Sequence, residues 1–214
     1  MRAETDDLLP ARQKPPGSTD KTCTVRRVPS TMLTVDGFPV TVSVAGPEKG
    51  PVVVVLGAAH HAPGAYDAVC LRLHTASLRT VVISPDRRLT PKSVLGILDS
   101  LGVQWALLVG DRVGGEIAWE LAASRLDRFI GLVVIDRGHP RVADMTGVVR
   151  DEHCPPVEIN TTALVSTPAA RAVAKASQRY VYGDFRIVEL LGRRNAQEST
   201  AQLAAEIVLR TSTW

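Results

Sequence analysis

The chain has 214 residues, 45% hydrophobic and 22% charged, which suits one globular domain with a sizeable buried core. Its 25 Lys and Arg are scattered among 22 Asp and Glu for a net charge of +3, with few aromatics and no long basic run, so no nucleic-acid partner is expected. Cys23, Cys70 and Cys154 are widely separated and lack metal-ligand spacing, which argues against a disulfide framework or a zinc site and suits a reducing cytoplasm. The longest apolar run, Val52 to Ala59, falls short of the roughly 20 residues a membrane-spanning helix needs, and the N-terminus lacks an apolar signal core. A soluble, cytoplasmic protein with no membrane partner is expected.

In chain order, residues 1–30 mix charges, prolines and turn formers without apolar periodicity and read as a flexible tail ahead of one domain over 31–214. Met32 to Val35 and Val40 to Val44 flank the turn dipeptide Asp36-Gly37, a hairpin signal. The continuous branched run Pro51 to Leu56, repeated at Thr80 to Ser84 and Ala106 to Val109, is the pattern of strands buried on both faces of a parallel sheet. Between these runs, Tyr66 to Leu78 and Pro91 to Leu101 place apolar residues at spacings of three and four, the second with Thr90 as N-cap and an end near Gly102. A helix Val113 to Ser124, a strand Ile130 to Ile135, an irregular stretch 137–156 and a strand within Val157 to Val165 follow. A helix Pro168 to Arg179, a strand Arg186 to Leu191 and a helix Glu198 to Leu209 complete the series. Alternation of this kind predicts an α/β fold, a doubly wound and mostly parallel sheet opened by an antiparallel hairpin.

The segment LGVQWALLVGDRVGGEIAWELA, from Leu101 to Ala122, resembles the nucleophile-elbow region of the α/β-hydrolase superfamily, in particular its epoxide-hydrolase and haloalkane-dehalogenase-like branch. VDGFPVTVSVAGPEKGPVVVVLG, ending at Gly57, is similar to that family's opening hairpin and third strand, and LDRFIGLVVIDRGHP, ending at Pro140, to its sixth strand. The resemblance covers roughly residues 33–140 with good specificity and 157–214 more weakly.

It implies an elbow of the form G-x-nucleophile-x-G, in which small flanks let strand and helix pass closely while one side chain projects from a strained turn. Here the elbow reads Gly110-Asp111-Arg112-Val113-Gly114, so the projecting position carries a guanidinium, which cannot attack a carbonyl. The resemblance also implies a base histidine after the last strand, where this chain has Gly192 to Gln197 with no histidine, and an acid after the sixth or seventh strand, where Asp136 stands after the sixth. The loop Gly57 to Gly64, with Ala58, His60 and His61, takes the place of the oxyanion-hole loop. About twenty residues separate Asp136 from Val157, leaving no room for a cap domain and implying a shallow, open pocket.

Several readings of these residues stay open. Sliding the pattern by one would make Asp111 the nucleophile, with Asp136 and a histidine such as His139 or His60 as partners, but breaks the match at Gly114. On that reading the chain is still a hydrolase of an ester, an epoxide or a haloalkane. Arg112, with the backbone N–H groups at Val113 on the following helix, could instead hold a small anionic or acyl ligand at a site bordered by Ala58, His60, His61 and Asp136. Arg112 could also simply pair with Asp136 or Asp86. A protein partner at the uncapped face is a further possibility. Neither a metal nor a cofactor is expected: the adjacent side chains of His60 and His61 diverge, so the set with His139 is a poor metal site. Cys154, beside His153, reads as a loop thiol, Trp105 and Trp119 as packing residues, Trp214 as an exposed terminus, and Arg193-Arg194 as a solvated turn that could assist an anion site.

Overall fold

The computed structural model describes residues 28–58, 64–190 and 196–212. Eight strands, β1 (Val28–Leu33), β2 (Pro39–Ala45), β3 (Val52–Leu56), β4 (Arg79–Ile83), β5 (Ala106–Asp111), β6 (Phe129–Ile135), β7 (Asn160–Val165) and β8 (Phe185–Glu189), form one sheet in the order β1-β2-β4-β3-β5-β6-β7-β8. The pairs β1–β2 and β2–β4 are antiparallel and all others parallel, as the opening hairpin and the β-branched runs predict. Among the described residues five helices cover it: α1 (Asp67–Thr75), α2 (Pro91–Ser100), α3 (Val113–Ser124), α4 (Pro168–Ser177) and α5 (Ala196–Thr211).

The period of two along the central strands divides the core. Val54, Leu56, Leu108, Leu132 and Val134 point to the layer of α2, α3 and α4, against Val94, Ile97, Ala118, Trp119 and Ala170. Their neighbours Val53, Val55, Leu107, Val109, Val133 and Ile135 point to the layer of α1 and α5, against Val69, Leu73, Leu203 and Ile207. Burial on both faces explains why these strands read as unbroken apolar runs.

Local signals set most helix ends. The Thr90 side chain accepts the Ser93 N–H at 3.1 Å ahead of Pro91, and the Thr167 side chain accepts the Ala170 N–H at 3.0 Å ahead of Pro168. Helix α1 ends at Thr75, three residues short of the predicted end, because Ser77 takes φ +61 and the Leu78 N–H closes back on the Leu73 carbonyl at 3.0 Å. Strand β1 opens at Val28, inside the segment predicted as tail, with Val28 in register with Val44. It is an edge strand, where Pro29 and Ser30 need no second neighbour, so polar composition there does not oppose pairing. Between β6 and β7, residues 136–159 contain no helix.

Candidate functional site at the carboxyl edge of the sheet

Strand order reverses between β3 and β5, and the crevice of an open α/β sheet forms beyond the carboxyl ends of such strands. Here the chain leaves β5 at Asp111 and enters α3 at Val113 with only Arg112 between them. Arg112 has φ +48 and ψ −102, a backbone state that costs a residue with a Cβ on the order of 1–3 kcal/mol. It is held by hydrogen bonds from the Arg112 N–H to the Ile135 carbonyl and from the Gly115 N–H to the Arg112 carbonyl, both 3.0 Å.

The flanking glycines make this turn possible. A Cβ on Gly110 would stand 2.6 Å from both the Ala118 Cβ and the Gly115 Cα, and one on Gly114 would stand 2.2 Å from the Leu56 carbonyl oxygen. Their spacing fixes Arg112 at the apex. Asp111, in contrast, is the last residue of β5, in register with Ile135 and buried, so it does not project as a shifted register would require.

The Arg112 guanidinium is about half exposed, its side chain at 53%, and lies between two buried carboxylates, 3.7 Å from Asp111 and 3.9 Å from Asp136. Each carboxylate has its own donors. Asp136, another residue with positive φ (+49), accepts the Ser166 N–H at 2.7 Å and the Ser166 hydroxyl at 2.5 Å, both from the end of β7. Asp111 accepts the Tyr66 hydroxyl at 2.8 Å, and that same oxygen accepts the Ala58 N–H at 3.0 Å. Burial first, and then the Asp111 charge, push the Tyr66 phenol far above its usual range, so it remains a donor. Asp86, the other candidate partner for Arg112, is instead bound by Arg88 through its backbone N–H (2.9 Å), Nε (3.0 Å) and Nη2 (2.8 Å).

Of the remaining predicted residues, Val113 opens α3 and is exposed, while His60, His61 and Arg193-Arg194 lie outside the described residues. The structure does not bring His139 to Asp111: its Nε2 faces the Pro155 carbonyl at 2.9 Å and its Nδ1 accepts the Arg141 N–H at 3.2 Å, so both nitrogens are committed. Among the described residues no His, Cys, Asp and Glu cluster could hold a metal ion. Cys154 is buried, with its thiol pushed up to about 12 chiefly by desolvation, which suits a packed thiol and not a nucleophile. Trp119 is fully buried and donates its indole N–H to the Arg137 carbonyl at 3.2 Å, whereas Trp105 is half exposed.

Sequence reasoning missed three parts of this end of the sheet. Tyr66 lies 45 residues from Asp111, and no local pattern links them. Ser166 follows the seventh strand, and nothing local in the sequence ties it to Asp136. The third is an ionic strap in which Arg137 and Arg150 engage Glu116 on the first turn of α3 and Asp144 in the β6–β7 loop, with Arg150 3.0 Å from Asp144. A pocket of about 240 Å³ opens beside Ser166, lined by Val165, Thr167, Pro168, Arg171, Glu189 and Leu190. A larger one of about 480 Å³ surrounds Trp105 at the opposite, amino edge, away from the elbow.

No family model matches the chain, and no curated protein matches it in sequence. Solved structures do match its fold. Epoxide hydrolase A from Mycobacterium thermoresistibile aligns with a TM-score of 0.70 at 12% identity, over 87% of this chain and 98% of that one. The epoxide hydrolase VrEH1 from Vigna radiata aligns with a TM-score of 0.66 at 13% identity, over 88% and 99%. An epoxide hydrolase of the α/β-hydrolase superfamily from metagenomes of hot environments aligns with a TM-score of 0.68 at 13% identity, over 86% and 98%. The chain therefore has the α/β-hydrolase fold. At these identities the likeness is one of architecture, and function has to be argued from the site.

Proposed function

We propose that this chain is an α/β-hydrolase-fold protein without serine-hydrolase activity, whose elbow holds a small ligand carrying a carboxylate or phosphate. The observation that carries the reading is Arg112 at the strained apex, between glycines that admit no other register. A guanidinium is never deprotonated in a protein and does not act as a nucleophile. The filling of the reactive centre supports the same reading, with the Ala58 N–H given to Tyr66, His139 committed elsewhere, and no histidine between Gly192 and Gln197. For the ligand, the half-exposed guanidinium stands at the N-terminus of α3, where backbone N–H groups and the helix dipole favour an anion. Ser166 and Tyr66 disperse the charge of the two flanking carboxylates.

The test is turnover of 4-nitrophenyl acetate, styrene oxide and 1-chlorobutane, beside thermal shifts with phosphate and acetate. The reading expects no rate above buffer and a shift that disappears in Arg112→Ala. A rate lost in Asp111→Asn would overturn it in favour of hydrolysis through that carboxylate, which in this structure is buried and bonded to Tyr66. A protein partner at the uncapped face is favoured by one observation, the exposure of Val113, Met145, Val148 and Val149 at that end of the molecule.

A further inference from the structure

His139 takes no part in the elbow, yet it is fully buried. The Pro155 carbonyl can only accept, so Nε2 carries the proton, and Nδ1 is the acceptor for the Arg141 N–H. The backbone N–H of His139 donates to the Ser177 hydroxyl at 2.9 Å. Its ring stacks on Tyr180 with centroids 4.9 Å apart and meets the edge of Trp119 at 5.3 Å. The imidazole thus joins α3, the 3-10 turn Gln178–Tyr180 and both ends of the loop between β6 and β7, while the backbone of the same residue is tied to α4.

A second proton has to sit on Nδ1, which faces a backbone N–H. Two donors would then oppose each other inside an aromatic sandwich, where an ionised group costs far more than in water. The surrounding charges do little to help. Arg141 and Arg179 lie over the Tyr180 ring at 5.5 and 4.9 Å, and Arg141 disfavours a further cation. Asp151 favours one, Glu120 on α3 is itself held up by burial and by Asp151, and Cys154 remains a thiol. Burial is the largest influence, and it lowers the imidazole from its ordinary value.

We propose that His139 is an acid-sensitive latch, whose protonation in mildly acidic solution loosens the two ends of the β6–β7 loop while the sheet stays folded. The loop tip stays attached under those conditions. Asp144, which binds Arg150, is held well below the usual carboxylate range, first by the Thr146 hydroxyl and further by the Val148 and Thr146 N–H groups. The loosened segment begins at His139, three residues after Asp136, so it borders the elbow.

The experiment is hydrogen exchange on the full chain between about pH 7 and pH 5, corrected for intrinsic exchange. It reads the amides of Arg141, Val142, Arg150 and Asp151, of which the last two donate to the Pro140 carbonyl at 3.1 and 3.2 Å. Opening linked to the uptake of one proton gains up to about tenfold per pH unit below the ordinary imidazole value, so these amides lose protection at that rate while β5 and β6 do not. His139→Gln, whose amide can donate to Pro155 and accept from Arg141 but does not titrate, removes the pH dependence. Equal loss in that variant, or none in the wild type, overturns the proposal. Should the variant lack native near-ultraviolet circular dichroism at pH 7, NMR titration of the wild-type ring decides. A neutral Nε2–H tautomer titrating below about 6.5 in step with the exchange supports the latch, and titration at or above it overturns it.

Discussion

Gly114→Ala tests the elbow most directly, because it adds one methyl group where helix α3 crosses the end of β3. That Cβ would lie 2.2 Å from the Leu56 carbonyl oxygen, 2.6 Å from the Leu56 carbonyl carbon and 2.9 Å from the Gly57 oxygen. All three are backbone atoms, and β3 is hydrogen-bonded to β4 on one side and β5 on the other, so the strand cannot yield alone. The helix has to lift. Overpacking of this kind costs about 1–3 kcal/mol, and contact with fixed backbone puts it at the upper end. In the first turn, the helical preference of Ala over Gly returns less than its usual ~1 kcal/mol. The net loss is about 2 kcal/mol, which lowers the melting temperature of a domain this size by about 4–8 °C. The assay is thermal unfolding followed by circular dichroism, with Gly147→Ala as the reference. Gly147 has positive φ, +84, as Gly114 does not, and a Cβ there meets nothing within 4 Å, so that change registers backbone strain without a clash. A Gly114→Ala protein that melts with the wild type would refute the close approach of α3 to β3.

Four other outcomes are expected. Gly96→Ala, in the middle of α2, raises stability by about 0.5–1 kcal/mol in urea unfolding, because the new Cβ meets only the exposed Val35 side chain, which can turn aside. Tyr66→Phe removes a hydroxyl that donates to a buried carboxylate and accepts the Ala58 N–H, and costs about 1.5–3 kcal/mol in the same measurement. Phosphate at about ten times its Kd stabilises the wild type by about 1.4 kcal/mol, a shift of about 3–6 °C by differential scanning fluorimetry that is absent in Arg112→Ala. Because the folded-state pKa of His139 lies below its unfolded value, its neutral form contributes fully above about pH 6.5, and stability measured in urea falls as the pH drops through that value towards the folded one.

Residue patterns that depend on neighbours along the chain were legible, and contacts between distant residues were not. The alternation of strands and helices, the Thr90 cap and the glycine spacing of the elbow are all local rules, and each recurs in the structure. The edge strand begins four residues before the predicted Met32 because pairing on one side only tolerates Pro29 and Ser30, which hide its signal. Asp136 could be picked out by its place after β6, yet its donors on Ser166 arise only once β7 lies beside β6. His139 shows the opposite failure: a position four residues beyond that same strand suggested a site residue, and the fold turned the ring away into a sandwich of Trp119 and Tyr180.

The elbow keeps its strain although the side chain at its apex has no nucleophilic chemistry. A backbone held at φ +48 costs on the order of 1–3 kcal/mol, and such states persist only where surrounding packing over-determines them. Here the cause lies on either side of Arg112. Gly110 sits against Ala118 and Gly115, and Gly114 against the Leu56 carbonyl, so strand and helix meet at a separation that leaves a single residue to reverse the chain. The geometry belongs to the scaffold, and the apex side chain is carried out to the carboxyl edge whatever its identity. That separation of turn from chemistry makes Arg112→Ser a revealing change. It places a hydroxyl at the apex while Tyr66 still holds the Ala58 N–H and His139 still faces Pro155, so ester turnover should stay at the buffer rate. A rate appearing in that one-residue variant would mean that a working base reaches the apex from elsewhere in the chain, and that Arg112 alone had silenced the site.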